Sequence, residues 1–222
     1  LTENDQRLIS INGISVTIEA AVADTTRPTG SLISTAPAYA APTANPFGIS
    51  IVSYAPYPAL IDIDGDGDLD LFIGNEDGNI IFFRNTAAVD ASTPAYAAPS
   101  TNPFGITNGG AYAKPAFADL DGDGDLDLFI GNYDGNTLFF RNTAAPGSSA
   151  PAYAAPTSNP FGITDVGDQA TPALADIDGD GDLDLFVGNG QGNTLFFRNT
   201  AAPGSSAAAY AASSSNAFGI SD

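Results

Sequence analysis

The chain contains no cysteine and no histidine. The first absence excludes disulfides, zinc–thiolate sites and thiol nucleophiles. The second removes the commonest general base and the commonest transition-metal ligand. Basic residues are scarce, six in 222 against 26 acidic ones, for a formal charge of −20. Nucleic-acid binding needs Lys and Arg to replace phosphate counterions, so that partner class is excluded, and an anionic membrane surface with it. No run of apolar residues is long enough for a membrane-spanning helix, so no membrane insertion is expected. The sequence opens on Leu1 without a signal-peptide pattern and reads as a processed mature protein or an excised segment.

What is present is folding capacity beside that charge. Hydrophobic residues make up 43% and 14 residues are Phe, which excludes a disordered acidic tail. A folded chain this acidic calls for cations, and the question becomes where its carboxylates sit.

Repetition answers it. The segment 37–49 (PAYAAPTANPFGI) returns at 94 and 151, and more weakly at 208, each time 57 residues on. Between these copies lies PALIDIDGDGDLDLFIGNEDGNIIFFRNT, which starts at Pro58 and recurs from Pro115 and Pro172 in the same register. This divides the chain into a leader, 1–36, and tandem units at 37–93, 94–150 and 151–207, with a partial fourth at 208–222.

Within a unit every local signal is β. Residues 58–62, 69–74 and 80–84 are short apolar runs, the last two joined by Glu76-Asp77-Gly78-Asn79, whose Asp-Gly pair suits a tight hairpin. Consecutive apolar residues at 80–83 predict a strand buried on both faces. Residues 96–104, interrupted by prolines, read as an outer fourth strand, where a missing N–H is tolerated. The fold class expected is therefore all-β, with β-propeller-type four-stranded blades in tandem, either a closed small propeller or an open array. The leader carries Asn12-Gly13 between alternating apolar runs, a hairpin signal. It is either a divergent, calcium-free first blade completed by residues 38–47 or a separate assembly strand or linker.

The chemistry is concentrated in one loop. Asp62, Asp64, Asp66, Asp68 and Asp70 recur as Asp119, Asp121, Asp123, Asp125 and Asp127, and as Asp176, Asp178, Asp180, Asp182 and Asp184. Fifteen of the 26 acidic residues thus fall in three nine-residue stretches. Calcium takes six to eight oxygen ligands, and side chains at positions 1, 3 and 5 of a curling segment can converge on one ion. Glycines at positions 4 and 6 permit the curl. Position 7 is expected to add its carbonyl and position 9 a carboxylate, with Leu69 and the residues after Asp70 anchoring the strand in the core. An EF-hand opens similarly but needs a Glu at position 12 and flanking helices, whereas position 12 is Ile73 and the flanks are strands. Solvated acidic turns without metal are disfavoured, since five like charges in nine residues repel and no Lys or Arg lies within the loop. Magnesium is disfavoured because it keeps its waters. Three calcium sites are expected, with a structural role.

These residues resemble the FG-GAP or VCBS-type repeat, the calcium-loop blade of integrin α-subunit propellers and of many secreted bacterial proteins. The likeness spans about 37–222 and rests on DxDxDGDxDL followed by an apolar strand and Gly. It implies a propeller blade with its ion in the loop between the first and second strands, held by the fifteen aspartates above. Two departures stand out: Gly74-Asn75 and its equivalents replace the GAP tripeptide, and the units are too few for a seven-bladed ring.

The function expected is an extracellular or cell-surface, calcium-stabilised structural or adhesive scaffold. Near-identical units meet front to back, a heterologous contact that closes a ring or extends a filament. Self-association head to tail is one expectation, with residues 1–36 bridging copies by strand addition. The alternative is calcium-dependent binding of a cell-surface glycan or protein, as a lectin or adhesin module. Tyr39, Tyr96, Tyr153 and Tyr210, with Phe47, Phe104, Phe161 and Phe218, repeat on the outer strand. They read first as blade packing and second as sugar platforms. Arg84, Arg141 and Arg198 share a repeat position and either pair with carboxylates of the adjacent blade or end their strands in solvent. Enzymatic activity is not expected: carboxylate or metal–water chemistry alone remains, and every dense carboxylate cluster is already assigned to an ion.

Overall fold

The computed structural model describes residues 7–11, 14–18, 41–50, 52–88, 91–145, 148–202, 205 and 207–219. The chain divides into two units, Leu1–Pro42 and Thr43–Asp222. In the first, β1 (Arg7–Ile11) pairs antiparallel with β2 (Ile14–Ile18), the strands expected on either side of Asn12-Gly13. Tyr39 and residues 19–36 of the leader lie outside the described residues.

The second unit holds three four-stranded antiparallel sheets, each in simple sequence order. The first comprises β3 (Tyr57–Ile61), β4 (Asp70–Gly74), β5 (Ile80–Phe83) and β6 (Ser100–Thr101). The second comprises β7 (Lys114–Ala118), β8 (Asp127–Gly131), β9 (Thr137–Phe140) and β10 (Thr157–Ser158). The third comprises β11 (Thr171–Ala175), β12 (Asp184–Gly188), β13 (Thr194–Phe197) and β14 (Ser214–Ser215). First strands adjoin in order, β3 against β7 and β7 against β11. The blades form an open array, not a closed ring. Residues 214–215, in the partial fourth repeat, complete the third sheet. The outer strand is shorter than 96–104: two residues pair, and Tyr96 adds a single bridge to Asn85. Pro99 and Pro103 flank the paired segment and can donate nothing to the ladder.

Alternation along the strands makes each blade two-faced. Phe72 and Phe82 sit opposite each other on β4 and β5, with ring centroids 4.6 Å apart. With Ile80 and Phe104 they join one cluster with Leu128, Ile130, Phe140 and Tyr153 of the next blade. One period on, Phe129, Phe139 and Phe161 meet Leu185, Val187, Phe197 and Tyr210. The core is thus a series of front-to-back interfaces. Tyr153 and Tyr210 are buried, their hydroxyls donating to the carbonyls of Leu126 (3.2 Å) and Leu183 (3.3 Å). These outer-strand aromatics act in packing, the first of the two roles read from the sequence.

Near the first strands the blades approach too closely for a side chain. A Cβ on Gly131 would overlap the carbonyl oxygen of Ala170 and come within 2.6 Å of Pro172 Cδ in the next blade. Both obstacles belong to an ordered strand and its lead-in, so neither can step aside cheaply. Gly131→Ala is expected to lower stability by about 1–3 kcal/mol, the range for overpacking. A drop in the urea midpoint with the slope unchanged checks this; an unaltered midpoint would contradict the close approach.

Candidate metal centre

The aspartate loop joins the first and second strands of each blade, spanning 62–69 between β3 and β4 in the first. Its curl is held by the leading aspartate. The Asp62 carboxylate accepts the backbone N–H groups of Gly65 (2.8 Å), Asp66 (3.1 Å) and Gly67 (3.0 Å). Asp119 accepts those of Gly122 and Gly124, and Asp176 those of Gly179 and Gly181. This wrapping needs left-handed backbone at Gly65 (φ 73°) and Gly67 (φ 92°). A Cβ there would meet nothing, so backbone conformation alone calls for glycine.

The curl brings three carboxylates together in each blade: Asp62, Asp64 and Asp66; Asp119, Asp121 and Asp123; Asp176, Asp178 and Asp180. In each triad one oxygen per residue lies within 4.8 Å of the others, so the three clusters can hold metal ions. Asp68, Asp125 and Asp182 lie outside the triads; their backbone N–H groups donate to Asp66, Asp123 and Asp180 at 2.9–3.0 Å.

Asp70, Asp127 and Asp184 open the second strands and are buried. Each accepts, through Oδ1, the backbone N–H of Asn85, Asn142 or Asn199 at 2.6–2.7 Å. Asp70 Oδ2 and Asp184 Oδ2 have no hydrogen-bond partner, nor has Asp64 Oδ1. Buried acceptors are nearly always satisfied, and orphaned ones mark an absent partner. Burial pushes the Asp70 carboxyl up to about 6, opposed by the Asn85 N–H and reinforced by Asp64. Asp127 is raised to about 6 for the same reason. A cation beside Asp70 would supply its missing partner and reverse the shift. Asp70 in the first blade and Asp184 in the third thus each keep one buried carboxylate oxygen without a donor, the kind of oxygen a hard cation would take.

Three features depart from the sequence reading. Leu69 is 50% exposed and does not anchor the strand; the core begins at Leu71. Arg84, Arg141 and Arg198 pair with Asp64, Asp121 and Asp178 of their own loops, not with carboxylates of the adjacent blade, because the third strand ends beside the loop of its own sheet. Lys114, the sole lysine, stands where Tyr57 and Thr171 stand in the other repeats, and is buried. It donates to Gln169 O and Thr171 Oγ1 (both 2.9 Å) in the third blade and lies over the Tyr57 ring of the first. Also overlooked was Asn85, whose Oδ1 accepts the N–H groups of Ala87 and Ala95. Its recurrence at 142 and 199 was the available signal.

Tandem four-stranded blades, each with an aspartate loop between its first two strands, define a blade-repeat protein. The FG-GAP-like repeat family matches residues 62–130 and 119–187, together more than half of the chain, and the chain belongs to it. Comparison with curated proteins finds no match.

The raised carboxyls carry a sign. In metal-free protein the stability associated with Asp70 and Asp127 is fully present below the unfolded value, about 3.8, and is lost as pH rises through about 6. The metal-stripped chain is therefore expected to melt at higher temperature at pH 4 than at pH 7. Thermal scans by circular dichroism check this, and the opposite order would remove the buried carboxylates as its source.

Proposed function

We propose that this chain is an extracellular scaffold, structural or adhesive, whose blades are held by three calcium ions. The carrying observation is the triplicate aspartate triad, with orphaned, buried carboxylate oxygens beside it in the first and third blades. Calcium suits an all-oxygen, carboxylate-rich and flexible donor set better than magnesium, which keeps its waters, or zinc, which favours nitrogen and sulfur. Among the described residues no helix is long and apolar enough to cross a membrane. Millimolar calcium outside cells would keep such sites filled. Catalysis forms no part of this reading.

An ion present at about 100 times its dissociation constant stabilises the fold by roughly 2.7 kcal/mol, so three sites contribute about 8 kcal/mol. That is comparable with a domain's whole stability of about 5–15 kcal/mol. Isothermal titration of metal-stripped protein is expected to give three calcium ions per chain, and melting temperature to rise with calcium. Asp66→Asn with Asp64→Asn should reduce the stoichiometry to two. A chain that binds none, or melts identically in calcium and chelator, defeats the proposal.

The scaffold reading includes head-to-tail association. Phe218 is 69% exposed at the repeat position where Phe104 and Phe161 are half-buried between blades, which leaves an apolar front face on the third sheet. Electron microscopy in calcium should show end-to-end oligomers, and uniform compact monomers reject that part.

A second reading, glycan or protein binding, is favoured by a different set of aromatics. Tyr54 and Tyr133 are exposed on the rim opposite the aspartate loops, and Tyr133 lies against Tyr112 with ring centroids 5.5 Å apart. These positions differ between repeats that otherwise agree closely: Tyr54, Ala111 and Asp168 at one, Glu76, Tyr133 and Gly190 at another. A glycan array with the wild-type chain and Tyr133→Ala separates the readings: binding lost in the variant supports recognition, and no binding by either leaves the scaffold alone.

A further inference from the structure

Half of the chain's six cations occupy one repeat position, and all three are used in the same way. Arg84 pairs through Nη1 with Asp64 Oδ2, Arg141 through Nη2 with Asp121 Oδ2, and Arg198 through Nη2 with Asp178 Oδ2. In each case the partner is the middle member of the triad. The pairing leaves Asp64 one oxygen, Oδ1, which is buried and has no donor, on a side chain only 4% exposed. A carboxylate gripped on one oxygen by a guanidinium has its plane set, and its remaining oxygen aimed.

Arg84 also reaches beyond its own blade. Its Nη2 donates to the carbonyl of Ser149 at 3.2 Å, in the segment between β9 and β10. That segment and Asp64 line the same cleft of about 340 Å³ between the first and second aspartate loops. One planar side chain thus joins a triad carboxylate of one blade to the backbone of the next.

We propose that Arg84 is a positioning residue for a divalent cation in the first blade. It orients Asp64 through Oδ2 so that Oδ1 faces the ion, and it couples that site to the second blade through Ser149. Arg141 and Arg198 orient Asp121 and Asp178 likewise. The inference rests on the calcium reading. Arginine and ion do not compete for the loop: five carboxylates face two positive charges from the ion and one from the guanidinium, so the site stays net negative with both in place. They also take different oxygens of Asp64, one held by Arg84 and the other free.

The test is calcium titration by calorimetry on the full chain, comparing wild type with Arg84→Met, Arg84→Lys and Arg198→Met. Circular dichroism melts of each metal-free protein verify folding. Loss of an outer ligand-orienting group typically weakens metal binding 10–100-fold. The expected result is three tight sites in wild type, and in each variant two tight sites with one weakened to about that extent. Arg84→Lys should stay weakened, because an ammonium keeps the charge without the planar fork. Arg198→Met gives the same reading in the third blade, where the arginine is more exposed and its loss threatens the fold least. Unchanged or tighter binding in the methionine variants overturns the proposal, the latter by making arginine a competitor. Wild-type affinity in Arg84→Lys also overturns it, by reducing the role to charge. Absence of calcium binding in wild type would instead sink the calcium reading, so the two failures are distinguishable.

Discussion

Everything in the repeating unit answers to one constraint: five carboxylates lie within nine residues, and the last of them is buried at the start of a central strand. β4 lies between β3 and β5, and Asp70 at its start is only 1% exposed. Its backbone serves the ladder while its carboxylate faces the loop. Burial without a cation raises its proton affinity and leaves an acceptor orphaned. The left-handed glycines, the wrapping of N–H groups around Asp62 and the arginine on Asp64 all keep this crowded segment in one conformation.

The second organising interaction is the front-to-back contact of blades. Each sheet offers phenylalanines forward and Leu, Ile or Val with Phe and Tyr backward, so neither face is satisfied alone. This places the aspartate loops of consecutive blades side by side and makes the environment of a loop depend on its neighbour. The middle aspartate is 4% exposed in the first blade and 6% in the second, but 26% in the third. Nearly identical sequences therefore hold their triads at different depths, and the triads of the first and second blades are the more shielded from water and salt.

The contrast between preserved and divergent positions adds to this view. The five aspartates and two glycines of the loop agree in all three copies, while 51–57, 108–114 and 165–171 have no position at which all three carry the same residue. Yet the backbone bonds of these segments recur: Ala113 N–H donates to Asn75 O and Ala170 N–H to Asn132 O. The main chain is held in register, leaving side chains such as Tyr54, Lys114 and Asp168 free to differ. Lys114 uses that freedom to tie three blades together, with Tyr57 on one side and Gln169 and Thr171 on the other.

By itself the sequence determined the period, the positions of each blade's first three strands to within a residue and the loop that carries the chemistry. These are local signals: alternation, Asp-Gly turns and glycines at fixed offsets from aspartates act over a few residues and repeat three times. The tertiary structure alone decided what depends on distant neighbours. Leu69 looks like a core residue by pattern but turns outward, because the strand's buried run starts one residue later. The partners of Arg84 lie 20 residues before it and 65 after it, and no spacing rule connects them. Whether the blades close or stay open was equally beyond the sequence, because small rotations between successive interfaces settle it, and those rotations are set by side-chain volumes across blades.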